Sequence, residues 1–224
     1  MKGYNYMKAK RIFNAGVGLI LGFVLFTILV QAVDVQYAGV NNSAIGFATV
    51  NLWFHKLTGV NLKLYTVTDR FSVVPFGVCT LFGALGAYQL IKRKSIFKVD
   101  SDIVALGIYY VVVIICYCCF EIFPINYRPI LIGGAMEASY PSSTTLLIMS
   151  VMPTLIVQSE KRLKTRNIKN IIDTVTIAFT LFMITARLLS GVHWLTDIIG
   201  GLLLSVGLLC MYISAVLKIE QEDF

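Results

Sequence analysis

The sequence predicts an all-α, polytopic membrane protein with six transmembrane helices and both termini in the cytoplasm. Three observations carry that expectation. Of the 224 residues, 57% are hydrophobic and only 14% are charged, and the mean hydropathy is +0.78, too apolar for a water-soluble domain of this length. Apolar runs recur that are long enough to cross about 30 Å of hydrocarbon, which takes roughly 20 helical residues. The basic residues also fall unevenly on the alternating connections, 14 on one side and five on the other.

The first expected span runs over about 12 to 33, too long for the apolar core of a signal peptide and followed by no clear small-residue cleavage site, so no cleavable leader is expected. A polar excursion over about 34 to 71 follows, with Trp53, Phe54 and Tyr65 placed to lie in the membrane interface. The remaining spans fall at about 72 to 91, 102 to 124, 142 to 158, 171 to 189 and 195 to 217. The fourth of the six is short and polar at its start, so its upper end is expected to meet protein or water instead of lipid. The whole chain reads as one domain, 1 to 224. Within it the first two spans and their outer loop cover about 12 to 91, and a core covers about 100 to 210.

Orientation follows from the charges. The N-terminal tail, "KRKSIFK", "EKRLKTRNIK" and Lys218 hold the 14 basic residues, whereas Lys56, Lys63, Arg70, Arg128 and Arg187 lie on the other side. Basic residues stay in the cytoplasm, so the segments 34 to 71, 125 to 141 and 188 to 194 are expected to face outward. The same logic explains the net charge of +7 without nucleic acid. All five cysteines fall in expected spans, away from any loop where an oxidising compartment would pair them.

Two outward segments carry unusual residues: "NYRPILIGGAMEASYPSSTT" and "ARLLSGVHWLTD". Topology brings Arg128, Ser142, Ser143, Thr144, Arg187, His193 and Asp197 to one membrane face, where ionisable groups are costly unless they meet a partner or water. Two arginines, hydroxyls and a helix N-terminus suit an anionic oxygen cluster, and arginine's planar fork matches phosphate. A neutral histidine beside such a cradle can attack phosphorus, while a carboxylate on its other ring nitrogen fixes the tautomer. His193 and Asp197, four residues apart, suit those two roles if the last helix begins near His193. The cradle is cationic and no Cys/His metal-ligand spacing occurs, so no metal or other cofactor is expected.

"YRP", "YPSSTT" and "ARLLSGVHWLTD" resemble the three motifs of the type 2 phosphatidic acid phosphatase superfamily, K-x6-R-P, P-S-G-H and S-R-x5-H-x3-D. These are six-span lipid phosphatases related to vanadium haloperoxidases. The third motif matches in spacing at Arg187, His193 and Asp197, with Ala186 in place of its serine; Arg128-Pro129 and Pro141-Ser142 match parts of the other two. The resemblance implies phosphate binding by Arg128 and Arg187, nucleophilic attack by His193, and a plasma-membrane protein acting outside the cytoplasm on a membrane lipid phosphate. Two positions depart from the pattern: Glu121 stands at the family lysine and Thr144 at the family's second histidine, the acid for the leaving group. Either Glu121 is a substitute proton donor, protonated near the bound anion, or catalysis is lost and a lipid-phosphate binder or transporter remains. Because a diphosphate leaves as a lipid phosphate and needs less protonation, the missing acid favours a polyprenyl diphosphate.

His55 reads as an interfacial residue, Asp34 and Glu137 as loop charges, and Gly200, Gly201 and Gly207 as places where helices approach closely. Glu137 stays open as an alternative acid.

Overall fold

The computed structural model describes residues 2–222, in which eight α-helices and two single 3₁₀ turns account for the regular structure. In chain order the helices are α1 (Lys2–Ala32), α2 (Ala48–Thr58), α3 (Leu62–Phe71), α4 (Val74–Arg93), α5 (Ser101–Ile122), α6 (Ser143–Arg162), α7 (Arg166–Leu189) and α8 (Leu195–Glu222). The described residues form no strand, in keeping with the all-α expectation.

Among the described residues, five stretches are long and apolar enough to cross a membrane: Tyr6–Ala32, Leu62–Arg93, Ser101–Ile122, Arg166–Leu189 and Leu195–Gln221. The residues expected as the fourth span form α6, a helix of 20 residues that is less apolar than these five and is not among them. Its position explains the difference. Neighbouring helices surround α6, so its polar groups meet protein partners instead of lipid. Tyr109 Oη of α5 donates to the Ser150 carbonyl at 2.9 Å, Tyr110 Oη lies 2.7 Å from Thr154 Oγ1, and Gln158 Nε2 donates to Tyr212 Oη at 2.8 Å.

The second apolar stretch starts earlier than about 72, because α3 nearly continues into α4. Ser72 and Val73 keep right-handed helical angles through the joint. Pro75 sits at the start of α4, where its missing N–H costs no helical hydrogen bond. The polar excursion is therefore folded, with α2 and α3 inside it. Asn51 pins α2 to the start of α8: its Nδ2 donates to Thr196 Oγ1 at 3.0 Å and its Oδ1 accepts from Thr196 N at 3.2 Å. Asp34 Oδ2 accepts from Thr49 N at 2.7 Å, so this loop charge holds the first turn of α2.

The first and last long helices pack closely at glycine. A Cβ on Gly16 would stand 2.9 Å from the Gly207 carbonyl oxygen, and one on Gly207 would stand 2.8 Å from Ile20. Gly200 is equally crowded, by the Tyr140 ring at 2.5 Å. That ring is buried against Phe23, Phe26 and Phe120, and its hydroxyl lies 2.8 Å from Thr27 Oγ1, so the loop before α6 is anchored into the bundle.

Candidate active site

The segment 190–194 turns α7 into α8, and its backbone sets the position of His193. Gly191 has φ +68°, and a Cβ there would overlap the Gly59 carbonyl, so glycine is required both by conformation and by space. Asn61 N donates to the Ser190 carbonyl at 2.9 Å and the His55 ring lies 3.1 Å from the Gly191 carbonyl. The half-buried His55 also packs against Trp194, at 5.5 Å between ring centres, so it braces the turn from the outer segment.

α8 begins at Leu195, which makes Trp194 its N-cap and Asp197 its third residue. Asp197 Oδ2 reaches back to accept from Trp194 N at 2.8 Å, the geometry of a capping box. Here the cap is wholly buried, and its carboxylate serves more than the helix end. Asn126 Nδ2 donates to Oδ1 at 3.2 Å, and Ser139 Oγ makes a short hydrogen bond to Oδ2. The same Ser139 oxygen lies 3.2 Å from His193 Nδ1, whereas the direct Nδ1 to Oδ2 separation is 3.5 Å, outside hydrogen-bond range.

With Asp197 ionised the carboxylate only accepts, so the single Ser139 proton goes to it and the Ser139 oxygen accepts from Nδ1–H. The neutral ring then carries its lone pair on Nε2. That atom is buried and has no partner among the described residues. Burial, with Arg128 and Arg187 nearby, holds His193 well below the ordinary histidine range, so the imidazole is neutral at physiological pH.

Ser139, Asn126 and Arg128 share one loop. Between α5 and α6 the chain doubles back with isolated antiparallel bridges at Tyr127/Ala138 and Ile132/Ala135, turning through Gly133 and Gly134 at φ +58° and +83°. Two consecutive positive φ angles are what a tight hairpin turn of this kind demands. Trp194 Nε1 donates to the Tyr127 carbonyl at 2.8 Å, tying the loop to the His193 turn.

The two arginines are both buried, and neither is fully satisfied. Arg128 pairs with Glu137 at 3.1 Å, leaving Nη1 without a partner; Arg187 donates to Thr68 Oγ1 at 3.1 Å and sits 3.9 Å from Asp69, leaving Nε without one. Both carboxylates are solvent-exposed, so they offset the buried charges only in part. Tyr65 of α3 lies against both guanidinium groups, at 4.8 Å from Arg187 and 5.8 Å from Arg128. Two adjacent buried cations with donors to spare make a site for an anion.

Ser142 is the N-cap of α6: its Oγ accepts from Thr145 Oγ1 at 3.1 Å, and its N–H donates to the Asp197 carbonyl at 3.0 Å, locking the α6 start to the α8 start. Ser143 and Thr144 open the helix, where backbone N–H groups lack intrahelical acceptors. Glu121 stands apart from this cluster. It is exposed near the end of α5, has no hydrogen-bond or ion-pair partner among the described residues, and borders a narrow crevice with Tyr140, Pro141 and Ser143.

The profile of the PAP2 superfamily matches residues 80–220, more than half of the chain. The chain belongs to the PAP2 superfamily. No curated protein matches it. Among solved structures, the crystal structure described as the first transmembrane PAP2-type phosphatidylglycerolphosphate phosphatase, from Bacillus subtilis, is similar with a TM-score of 0.61 at 18% identity. The match covers 93% of this chain and 96% of that one. At that identity the likeness speaks for the fold, including α1, which lies outside the residues that the PAP2 profile matches.

In this PAP2 protein the structure thus brings Arg128, Arg187, His193, Asp197 and the α6 N-terminus together as a candidate site, and leaves Glu121 at its border. Sequence reasoning missed Ser139, Asn126, Tyr65 and Thr68. None carries a charge, and each reaches the site through tertiary contact. Only the Gly133-Gly134 pair was a readable signal, since it marks the hairpin that delivers Asn126 and Ser139.

Proposed function

We propose that this chain is a lipid phosphatase that removes phosphate from a membrane lipid phosphate or diphosphate on the extracytoplasmic face, through a phospho-histidine intermediate. α6 completes a set of six spans, with both termini in the cytoplasm. The observation that carries the reading is His193 Nε2: a buried, neutral, unpartnered nitrogen beside two arginines that each keep a nitrogen to spare.

Arg128, Arg187 and the N–H groups of Ser143 and Thr144 hold the phosphoryl oxygens, and the hydroxyls of Ser142, Ser143 and Thr144 border them. His193 Nε2 attacks phosphorus as the bond to the lipid oxygen breaks. The positive charge on the ring is relieved through Nδ1–H, Ser139 and Asp197. Water then attacks the phospho-histidine, releasing inorganic phosphate and restoring the neutral ring. Thr144 occupies the place of the family acid, so proton donation to the leaving group falls to Glu121 at the border of the site. A polyprenyl diphosphate is the substrate class least dependent on that proton, because its leaving group is already a stable phosphate.

The exposed, unpartnered position of Glu121 favours a second reading, a lipid-phosphate binder without turnover. Phosphate release from one lipid monophosphate and one lipid diphosphate by purified wild type, His193→Ala and Glu121→Gln separates the two. The enzyme reading expects release by wild type, none by His193→Ala, and a loss in Glu121→Gln that is larger on the monophosphate. Retained binding with no release by wild type identifies the binder.

A further inference from the structure

At the end of the bundle away from His193, α4 and α5 part to leave an apolar groove of about 650 Å³. Gly83, Ala87 and Leu90 form one wall, Ile103 and Gly107 the other, and Ile96 lies at its mouth. The groove is open space: a Cβ added at Gly83 or at Gly107 would meet no atom within 4 Å. Along α4 it runs from Cys79 to Leu90, which at 1.5 Å per residue is about 16 Å, close to half the roughly 30 Å hydrocarbon thickness. Its depth is that of one leaflet.

The turn that carries Ile96 at the groove's mouth is flanked by basic residues. Lys94 and Lys98 are exposed with no carboxylate partner among the described residues, as is Lys92, whose ammonium lies over the Tyr88 ring at 5.6 Å, while Arg93 is held by Asp100 at 2.7 Å. Between the lysines, Phe97 is 96% exposed and Ile96 58% exposed, an apolar pair on a polar turn that suits insertion among headgroups.

We propose that this groove is a binding site for an anionic phospholipid of the leaflet on the basic side, with one acyl chain between α4 and α5 and the phosphate on Lys92, Lys94 and Lys98. Charge selects this occupant. A second copy of the chain docking here side by side would bring two clusters of lysines together, and a zwitterionic lipid would leave the three ammonium groups without net compensation. The site lies apart from the phosphate cradle and does not depend on turnover there.

Native mass spectrometry of the full-length chain in detergent, with phosphatidylglycerol or phosphatidylcholine of matched chains, tests it. The expected result is a single retained phosphatidylglycerol at least about tenfold tighter than phosphatidylcholine. Lys92→Gln/Lys94→Gln/Lys98→Gln should reduce that preference to less than about twofold, and Gly83→Leu, which fills open space, should remove the adduct. Arg187→Ala, which alters only the cradle, should leave it. Equal binding of the two lipids, loss of the adduct in Arg187→Ala, an adduct unchanged by the lysine substitutions, or a dimer abolished by Gly83→Leu would each overturn the proposal.

Discussion

Ser139→Ala tests how His193 and Asp197 communicate. The substitution removes one buried hydroxyl that accepts from His193 Nδ1 at 3.2 Å and donates to Asp197, and it leaves those two groups 3.5 Å apart without a hydrogen bond. Asp197 keeps the donors Trp194 N and Asn126 Nδ2, so its position survives. The imidazole instead loses its only side-chain acceptor among the described residues, and with it the hydroxyl that connects the ring to Asp197. A hydrogen bond to a charged group contributes about 1.5 to 3 kcal/mol, and in the proposed mechanism the charge develops on the ring as phosphorus is attacked. That corresponds to a fall in kcat of about 10- to 150-fold. Because Ser139 touches neither arginine, KM should stay within about twofold. Steady-state kinetics on a lipid diphosphate reads both values, and Ser139→Thr, which restores the hydroxyl, should recover most of kcat. An unchanged kcat in Ser139→Ala, or a loss carried by KM, would refute the relay.

Arg187→Lys should lower kcat/KM by about 10- to 100-fold, because a lysine retains the charge but not the planar fork that meets two phosphoryl oxygens; lipid phosphate kinetics measure it. Gly191→Ala should destabilise the protein by more than about 1 kcal/mol and depress activity with it, since alanine strains at φ +68° and its Cβ overlaps the Gly59 carbonyl; a thermal melt in detergent reads the loss. Acid should weaken the fold through His193. The unfolded chain takes up this proton below about pH 6.5 while the folded chain does not, so the contribution of His193 to stability falls as pH drops through that value. Lowering the pH from 7.5 to 5.5 should therefore move the melt downward more in wild type than in His193→Gln.

The helices were legible because lipid imposes its own composition. Where a helix faces lipid, as in α1, α5 and α7, the run of apolar residues marks it directly. α6 and the outer segment were harder for opposite reasons. α6 is enclosed by protein, so Ser150, Thr154 and Gln158 satisfy tyrosines of its neighbours and dilute the apolar signal. α2 and α3 are short, and what holds them is a contact such as Asn51 on Thr196, across 145 positions of sequence. In the candidate site, charge and fixed spacing single out residues such as Arg187, His193 and Asp197 in the sequence. Ser139 could not, because a serine before "YPSS" shows no sign of the two partners that a hairpin brings to it. The chain's resemblance to its superfamily was readable from those same spaced residues, while Glu121, placed by motif alignment, stands at the border of the cluster.

The central claim is that His193 becomes covalently phosphorylated, and trapping that intermediate tests it most directly. Purified protein is mixed with excess lipid diphosphate, quenched within the first turnover into alkali, where phospho-histidine survives, and digested for mass spectrometry. The expected result is one phosphoryl group on the peptide containing His193, located on its ring, and none in His193→Ala. Burst release of phosphate with an unmodified His193 peptide would contradict it.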